Sequence, residues 1–359
     1  MFPLTMQDAL AAQGRPRQAG QSVPDNGEVQ IMKILVTGGA GFIGSNLIDV
    51  LMEQGHEITV IDNLSVGKAS NIQHHLASNR FHFVNDSILN VGTLERLVRR
   101  ADLIYHLAAV VGPKYVVEDP LGTIVTNVRG TENVLELAFK YWVKAVVASS
   151  SEVYGKSTAV PLSEDDDRVL GSTIVGRWSY SDAKAIDEYF ALAYAKKGLP
   201  VAAVRYFNAY GPRLDPRGYG SVIARFITQA LQGEPLTIYD NGEQTRCFTY
   251  VADTIRGTML AATVPEAAGQ VFNIGSNRET SVNELAQLII RATGSSSEIV
   301  HLPYTSAFGP HFEETRRRVP DITRARDVLG FEAQIRLEEG LQRTLDWFQR
   351  QRTGEKTAD

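Results

Sequence analysis

The chain has 359 residues, 43% hydrophobic and 21% charged, enough apolar content to bury a sizeable core and to build a main domain with a smaller second one. A formal net charge of -5 and a pI near 5.9 leave no basic excess to neutralise phosphates, which argues against a nucleic-acid partner. The single cysteine, Cys247, excludes an intrachain disulfide; His74-His75, the only histidine cluster, has no Cys or acidic partner at ligand spacing, so no metal is expected.

Residues 1–30 are polar, rich in Gln, Gly and Pro, and lack a continuous apolar stretch. They read as a mobile extension rather than a secretory signal or membrane helix, which predicts a cytoplasmic protein with no membrane partner. Residues 351–359 read as a frayed tail.

From Lys33 the pattern sharpens. "KILVTGGAGFIGSNLIDVLMEQGHEITVIDN" is an apolar run, a glycine loop, an amphipathic stretch and a second apolar run ending in Asp62. The predicted order is strand, phosphate loop, helix, strand. Gly38, Gly41 and Gly44 are three apart, where a tight turn, backbone approach to a pyrophosphate and close helix packing each exclude a side chain. Phe42 and Ile43 lie in the same loop. Asp62 ends the second strand, where its carboxylate can accept from a ribose diol and repel a 2′-phosphate; NAD is expected over NADP, with Asn63 beside it.

Strand and helix patterns then alternate: Phe81 to Val84, Leu103 to Leu107, Ala145 to Ala148, Val201 to Tyr206. This predicts an α/β fold with a doubly wound parallel sheet of the Rossmann type and a smaller C-terminal α/β substrate domain. Asp86, followed by Ser87, can reach the adenine, and the small Ala108 and Ala109 after Leu107 allow the backbone to approach the cofactor. "SSSEVYG", residues 149–155, ends an apolar run with three hydroxyls and a carboxylate. "WSYSDAKAIDEYFALAYAKKG" places Tyr180 and Lys184 four apart on one helix face, where the ammonium favours the phenolate and is expected to lower the Tyr180 pKa toward neutrality for use as a general base.

Over residues 33 to 350, the order TGGAGFIGSNL, HLAAVVG, Asn127-Val128-Arg129-Gly130-Thr131, SSSEVYG, YSDAK, RYFNAYGPR and RRRVPDITRARDVLGF resembles the extended short-chain dehydrogenase/reductases that modify nucleotide sugars. The resemblance implies a catalytic hydroxyl at Ser150, with Tyr180 as base and Lys184 as its partner, and it adds Asn127 to the cofactor set. It implies a substrate set of Ser151, Asn208, Arg213, Arg225, Tyr239, Arg246 and Arg318: Asn208 and Arg246 on the diphosphate, and the stretch Glu234 to Tyr239 against the uracil. The NAD domain would comprise 31–207 and 248–275, with "QVFNIG" (270 to 275) as a strand returning to its sheet, and the sugar-nucleotide domain 208–247 and 276–350. Family members commonly pair through helices around 121 to 140 and 180 to 197, so a homodimer is expected.

The residues after Ser150 separate reaction types. The 4,6-dehydratases carry Asp-Glu there and the 4-epimerases small or hydroxyl residues, whereas Ser151-Glu152 resembles UDP-glucuronate decarboxylases. The implied reaction is oxidation at C4, loss of carbon dioxide from the β-keto acid, and return of hydride to give UDP-xylose. Glu152 would position or relay the C5 proton, and Arg318 or Arg213 would meet the sugar carboxylate. A UDP-glucuronate or UDP-glucose 4-epimerase is the alternative, and a non-catalytic NAD-binding regulator the third reading.

Overall fold

The computed structural model describes residues 30–112, 116, 118–216, 221–304, 306 and 315–353. The extension expected over 1–30 lies outside these save for Gln30, as do residues 354–359 of the tail. Residues 351–353 correct the expected tail: they close a helix that runs to Thr353.

The strands are β1 (Lys33–Thr37), β2 (Glu57–Ile61), β3 (Phe81–Val84), β4 (Leu103–His106), β5 (Lys144–Ser150), β6 (Val201–Tyr206), β7 (Ala209–Tyr210), β8 (Leu236–Tyr239), β9 (Thr245–Cys247), β10 (Thr249–Tyr250), β11 (Val271–Ile274), β12 (Glu279–Ser281), β13 (Ile299–Leu302) and β14 (Arg317–Arg318). The helices that matter most are α1 (Phe42–Glu53), α2 (Val91–Val98), α3 (Pro120–Ile124), α4 (Gly130–Tyr141), α5 (Trp178–Lys196), α6 (Val222–Gln232) and α7 (Val251–Thr263).

A seven-stranded sheet in the order β11-β6-β5-β4-β1-β2-β3 is parallel throughout, the doubly wound Rossmann arrangement expected from the alternating pattern. The strand read from QVFNIG is its β6-side edge. Side chains alternate across the sheet and build a core on each face. Ile34, Val36, Val60 and Val146 pack with Leu47, Ile48 and Leu51 of α1 and Ile255 of α7. Leu35, Ile61, Ala145 and Val147 pack with Leu94 of α2, Leu135 and Ala138 of α4 and Ala191 of α5.

The chain reverses direction of winding between β1 and β4, so the carboxyl ends of these strands open a crevice. Ser150, paired in register with Tyr206, ends β5 on the same edge. A small sheet, β12-β9-β14, lies beyond; its β9–β14 pair sets Arg318 opposite Arg246. Among the described residues no helix is long and apolar enough to cross a membrane.

Candidate active site

The glycine loop between β1 and α1 is shaped by two contacts. Gly38 has φ of +71°, and a Cβ there would stand 2.7 Å from the Ala108 Cα. A Cβ on Gly44 would stand 2.4 Å from the Gly38 carbonyl oxygen, so α1 can start this close to the loop only without one. The first amides of α1 thus face the crevice with their positive dipole end. Asp62 Oδ2 accepts from the Ala40 N–H at 2.9 Å and Oδ1 from the Leu64 N–H at 2.8 Å. Burial pushes the Asp62 pKa up against these two bonds.

A cavity of about 440 Å³ runs from this loop to the end of β5. Its cofactor-side lining includes Gly38, Gly41, Phe42, Ile43 and Gly44, then Asp62, Asn63, Asp86 and Ser87, then Leu107, Ala108 and Ala109. Its far end is lined by Ser150, Ser151, Glu152, Tyr180, Lys184, Asn208 and Arg318. All of these had been singled out in the sequence. The cradle is shaped for a dinucleotide: bare backbone at the glycines, a carboxylate at Asp62 with lone pairs to spare, and two small residues at 108 and 109.

Tyr180 lies in the first turn of α5 and Lys184 one turn on. The Lys184 Nζ donates to the Ala148 carbonyl at 2.9 Å and to Asp187 Oδ2 at 3.0 Å. The expected lowering of the Tyr180 pKa is corrected: burial raises it, and although the Lys184 charge and hydrogen bonding from Ser150 act the other way, burial prevails in the protein alone. The Ser150 Oγ also accepts from the Glu152 N–H at 3.2 Å, closing the turn that follows β5.

Of the two roles expected for Glu152, positioning or relaying the C5 proton, its surroundings favour positioning. Its Oε1 accepts from Arg318 Nη1 at 2.6 Å and its Oε2 from Arg177 Nη2 at 3.3 Å. Burial pushes this carboxyl up, but Arg318 and then Arg177, with Arg246 adding to them, overcome it and hold Glu152 at about 2. It is a fixed anion at neutral pH. Arg318 meets Glu152 rather than standing clear for a substrate group, and also donates to Thr315 Oγ1 at 3.4 Å.

Arg177 was missed as a site residue. It stands three before Tyr180 in GRWSY, so the spacing that puts Tyr180 in the cavity brings its neighbour one helical turn back to the same side. Its guanidinium also lies over the Trp178 ring, 5.1 Å from the centroid.

Five expected contact residues are not among the described lining residues. Asn127 is fully buried in a π turn, Val125–Arg129, where its side chain accepts from the Val110 N–H at 2.8 Å and donates to the Val110 carbonyl at 3.2 Å. It clamps the loop after β4. Arg213 turns away to Asp49 of α1, Nη2 to Oδ2 at 2.7 Å, at a φ of +70°. Arg225 stacks on Tyr239, 4.7 Å from its centroid, and donates to the Thr237 carbonyl at 3.1 Å. Tyr239 in turn stacks on Tyr304 at 5.9 Å. Arg246 donates to the Thr245 and Arg316 carbonyls. Asp49 also corrects the reading of His74-His75: the fold supplies an acidic partner, with Oδ1 at 2.9 Å from His74 Nε2 and 2.8 Å from His75 Nε2, while Arg213 holds the other oxygen.

Residues 34–275 match the model of the NAD dependent epimerase/dehydratase family. The chain belongs to this family.

Within it, the chain is 45% identical over 316 residues to UDP-N-acetyl-alpha-D-glucosaminuronate decarboxylase of Bacillus cytotoxicus, covering 88% of this chain and 97% of that one. It is 39% identical over 320 residues to UDP-glucuronic acid decarboxylase 1 of Xenopus tropicalis, covering 89% and 72%. Among solved structures it is similar to the UDP-glucuronic acid 4-epimerase of Bacillus cereus in complex with UDP-glucuronic acid and NAD, with a TM-score of 0.79, 32% identity, and 89% and 100% covered. The cofactor of this epimerase/dehydratase family member is NAD, and the cradle from Gly38 to Asp62 fits it.

Proposed function

We propose that the chain is a nucleotide-sugar decarboxylase that converts UDP-glucuronate to UDP-xylose through a 4-keto intermediate and regenerates its NAD in each cycle. The observation that carries this reading is the Arg177–Glu152–Arg318 arrangement beside Ser150 and Tyr180. The two guanidiniums that hold Glu152 put cationic groups at the end of the cavity where a substrate carboxylate would lie.

The chemistry follows from the residues at this end of the cavity. Tyr180 removes the C4 hydroxyl proton, helped by the Lys184 charge and the Ser150 hydroxyl. NAD held in the cradle from Gly38 to Asp62 would supply the acceptor, and then the donor, for the C4 hydride. With a ketone at C4, the C5–C6 bond breaks, carbon dioxide leaves, and the electron pair moves onto the C4 oxygen, where Ser150 and Tyr180 hydrogen-bond the enolate. Negative charge thus passes from the arginine end toward Lys184. The ionised Glu152 orients a water that delivers the C5 proton, the hydroxide left behind taking up a proton from solvent, and Tyr180 reprotonates the C4 oxygen on hydride return.

Beyond the cavity, residues 208–247 and 276–350 form the sugar-nucleotide region in this reading, with Arg225 and Tyr239 as the platform for the base and Asn208 and Arg246 near the diphosphate. The exposed apolar side chains of α3 and α5 support a homodimer: Leu121 is 71% and Tyr189 64% exposed, and Ile124 and Ile186 are exposed as well. A 4-epimerase is the second reading, favoured by the likeness to the UDP-glucuronic acid 4-epimerase structure.

The test is incubation with NAD and either UDP-glucuronate or UDP-N-acetylglucosaminuronate, the latter because of the 45% identical relative. Loss of one carbon dioxide by mass supports decarboxylation. Unchanged mass with inverted C4 replaces it with epimerisation.

A further inference from the structure

Lys184 is deeply buried, its side chain 3% exposed, and so is Asp187, three residues on along α5, at 0%. An ammonium has three N–H donors. One goes to the Ala148 carbonyl at the end of β5 and one to Asp187 Oδ2, and the residue still lines the cavity beside Tyr180. Asp187 thus spends Oδ2 on Lys184, and its carboxyl also lies beside the Thr131 side chain of α4.

We propose that Asp187 is a positioning residue of the C4 redox step: together with the Ala148 carbonyl it takes two of the three Lys184 N–H groups and leaves the third for the cavity, beside Tyr180. The inference rests on Tyr180 and Lys184 being the redox pair, which both the decarboxylase and the epimerase readings require.

Asp187 is held in place by its own surroundings. Thr131 of α4 acts on its carboxyl as a hydrogen-bonding neighbour. Thr131 Oγ1 is 2.9 Å from His106 Nε2, and His106 Nδ1 is 2.8 Å from Thr37 Oγ1, which accepts from the Ala108 N–H at 3.2 Å. The orientation of Lys184 is therefore tied to β1 and β4, the same strands that carry the glycine loop and Ala108. The groups that act electrostatically on Lys184 are Asp187, Tyr180 and Glu188 of its own helix and His106 of β4; Glu188 is itself engaged by Arg205. Burial alone lowers the Lys184 pKa, and Asp187 is the largest influence that reverses the shift.

The test is Asp187→Asn, which keeps shape and removes charge, followed in kcat and KM from pH 6 to 10. The expected result is a fall in kcat with KM little changed, and a descending limb about one pH unit or more below that of the wild type, a tenfold change in the protonation ratio. The limb descends with rising pH because the charged form of Lys184 is the one lost. Asp187→Glu should move the limb back toward the wild type. In a Lys184→Met background the two losses should be non-additive, the double variant losing no more than Lys184→Met alone; if Asp187→Asn does not fold, the pH profile of Asp187→Glu, which keeps the charge and shifts its position, serves in its place. A profile for Asp187→Asn that superimposes on the wild type, or additive losses, overturns the inference. If the wild type turns over neither sugar nucleotide, the functional reading has failed, and the inference is decided by NAD affinity: weakening with rising pH in Asp187→Asn and not in the wild type supports it, and parallel profiles overturn it.

Discussion

Arg318 Nη1 lies 2.6 Å from Glu152 Oε1, joining a two-residue strand near the end of the chain to the turn after the fifth strand of the Rossmann sheet. The Arg318 side chain is 5% exposed. The Glu152 side chain is 25% exposed, so it is the arginine whose charge is the more shielded from water and the more costly to leave without its partner. The contact also makes the two residues one unit with Arg177.

Arg318→Ala should therefore damage two things together. Substrates with a C6 carboxylate should bind more weakly and turn over more slowly, while UDP alone binds as before. Removal of the cation most responsible for holding Glu152 at about 2 should also raise that pKa. Steady-state kinetics with UDP-glucuronate, against UDP affinity by calorimetry, check this.

Glu152→Gln should slow decarboxylation far more than it weakens binding. In heavy water the wild-type product should carry one deuterium at C5, read by mass and NMR. With the Glu152 pKa at about 2, an acid limb of kcat at pH 4 or above should persist in Glu152→Gln, since it does not come from this carboxyl. Equal limbs in wild type and variant confirm the assignment.

Tyr180→Phe should reduce turnover by about 10²–10⁴-fold, the usual contribution of a positioned general acid–base group. Bound NAD and the melting temperature should stay close to wild type, since one oxygen is removed. Absorbance at 340 nm after substrate addition should show no reduced cofactor.

Asp62→Ala should relax the choice of NAD over NADP, and it should also cost stability on the order of 1–3 kcal/mol, because the Ala40 and Leu64 N–H groups lose their acceptor. Cofactor dissociation constants and thermal melts separate the two effects. Equal wild-type affinity for both cofactors would defeat the selectivity argument.

Leu121→Asp with Tyr189→Asp should dissociate the proposed homodimer by placing charge on an apolar face, giving monomer mass in light scattering. A wild type that is monomeric at working concentration removes that proposal.

Much of the fold was legible because it rests on local repeats. Alternating strand and helix periods specify a parallel sheet, and glycines at 38, 41 and 44 can be read as a phosphate loop since backbone conformation and close approach dictate them one residue at a time. Tyr180 and Lys184 were legible for the same reason: four residues of helix put them on one face. The partners of Asn127 and Arg213 were not legible, because which partner a long or polar side chain chooses depends on elements far away in sequence: the Val110 backbone for one, Asp49 for the other.

The sequence by itself determined the Rossmann architecture, the dinucleotide cradle and the placing of Tyr180 and Lys184 on one helix face, each set by short-range spacing, while Ser150 was singled out through the family resemblance. Only the tertiary structure decided the charge states. Burial outweighs Lys184 at Tyr180, two arginines outweigh burial at Glu152, and Asp187 reverses it at Lys184. Desolvation and charge pairing are sums over everything packed around a group, and the chain writes those neighbours down in distant places: Arg318 stands 166 positions from the carboxylate it holds.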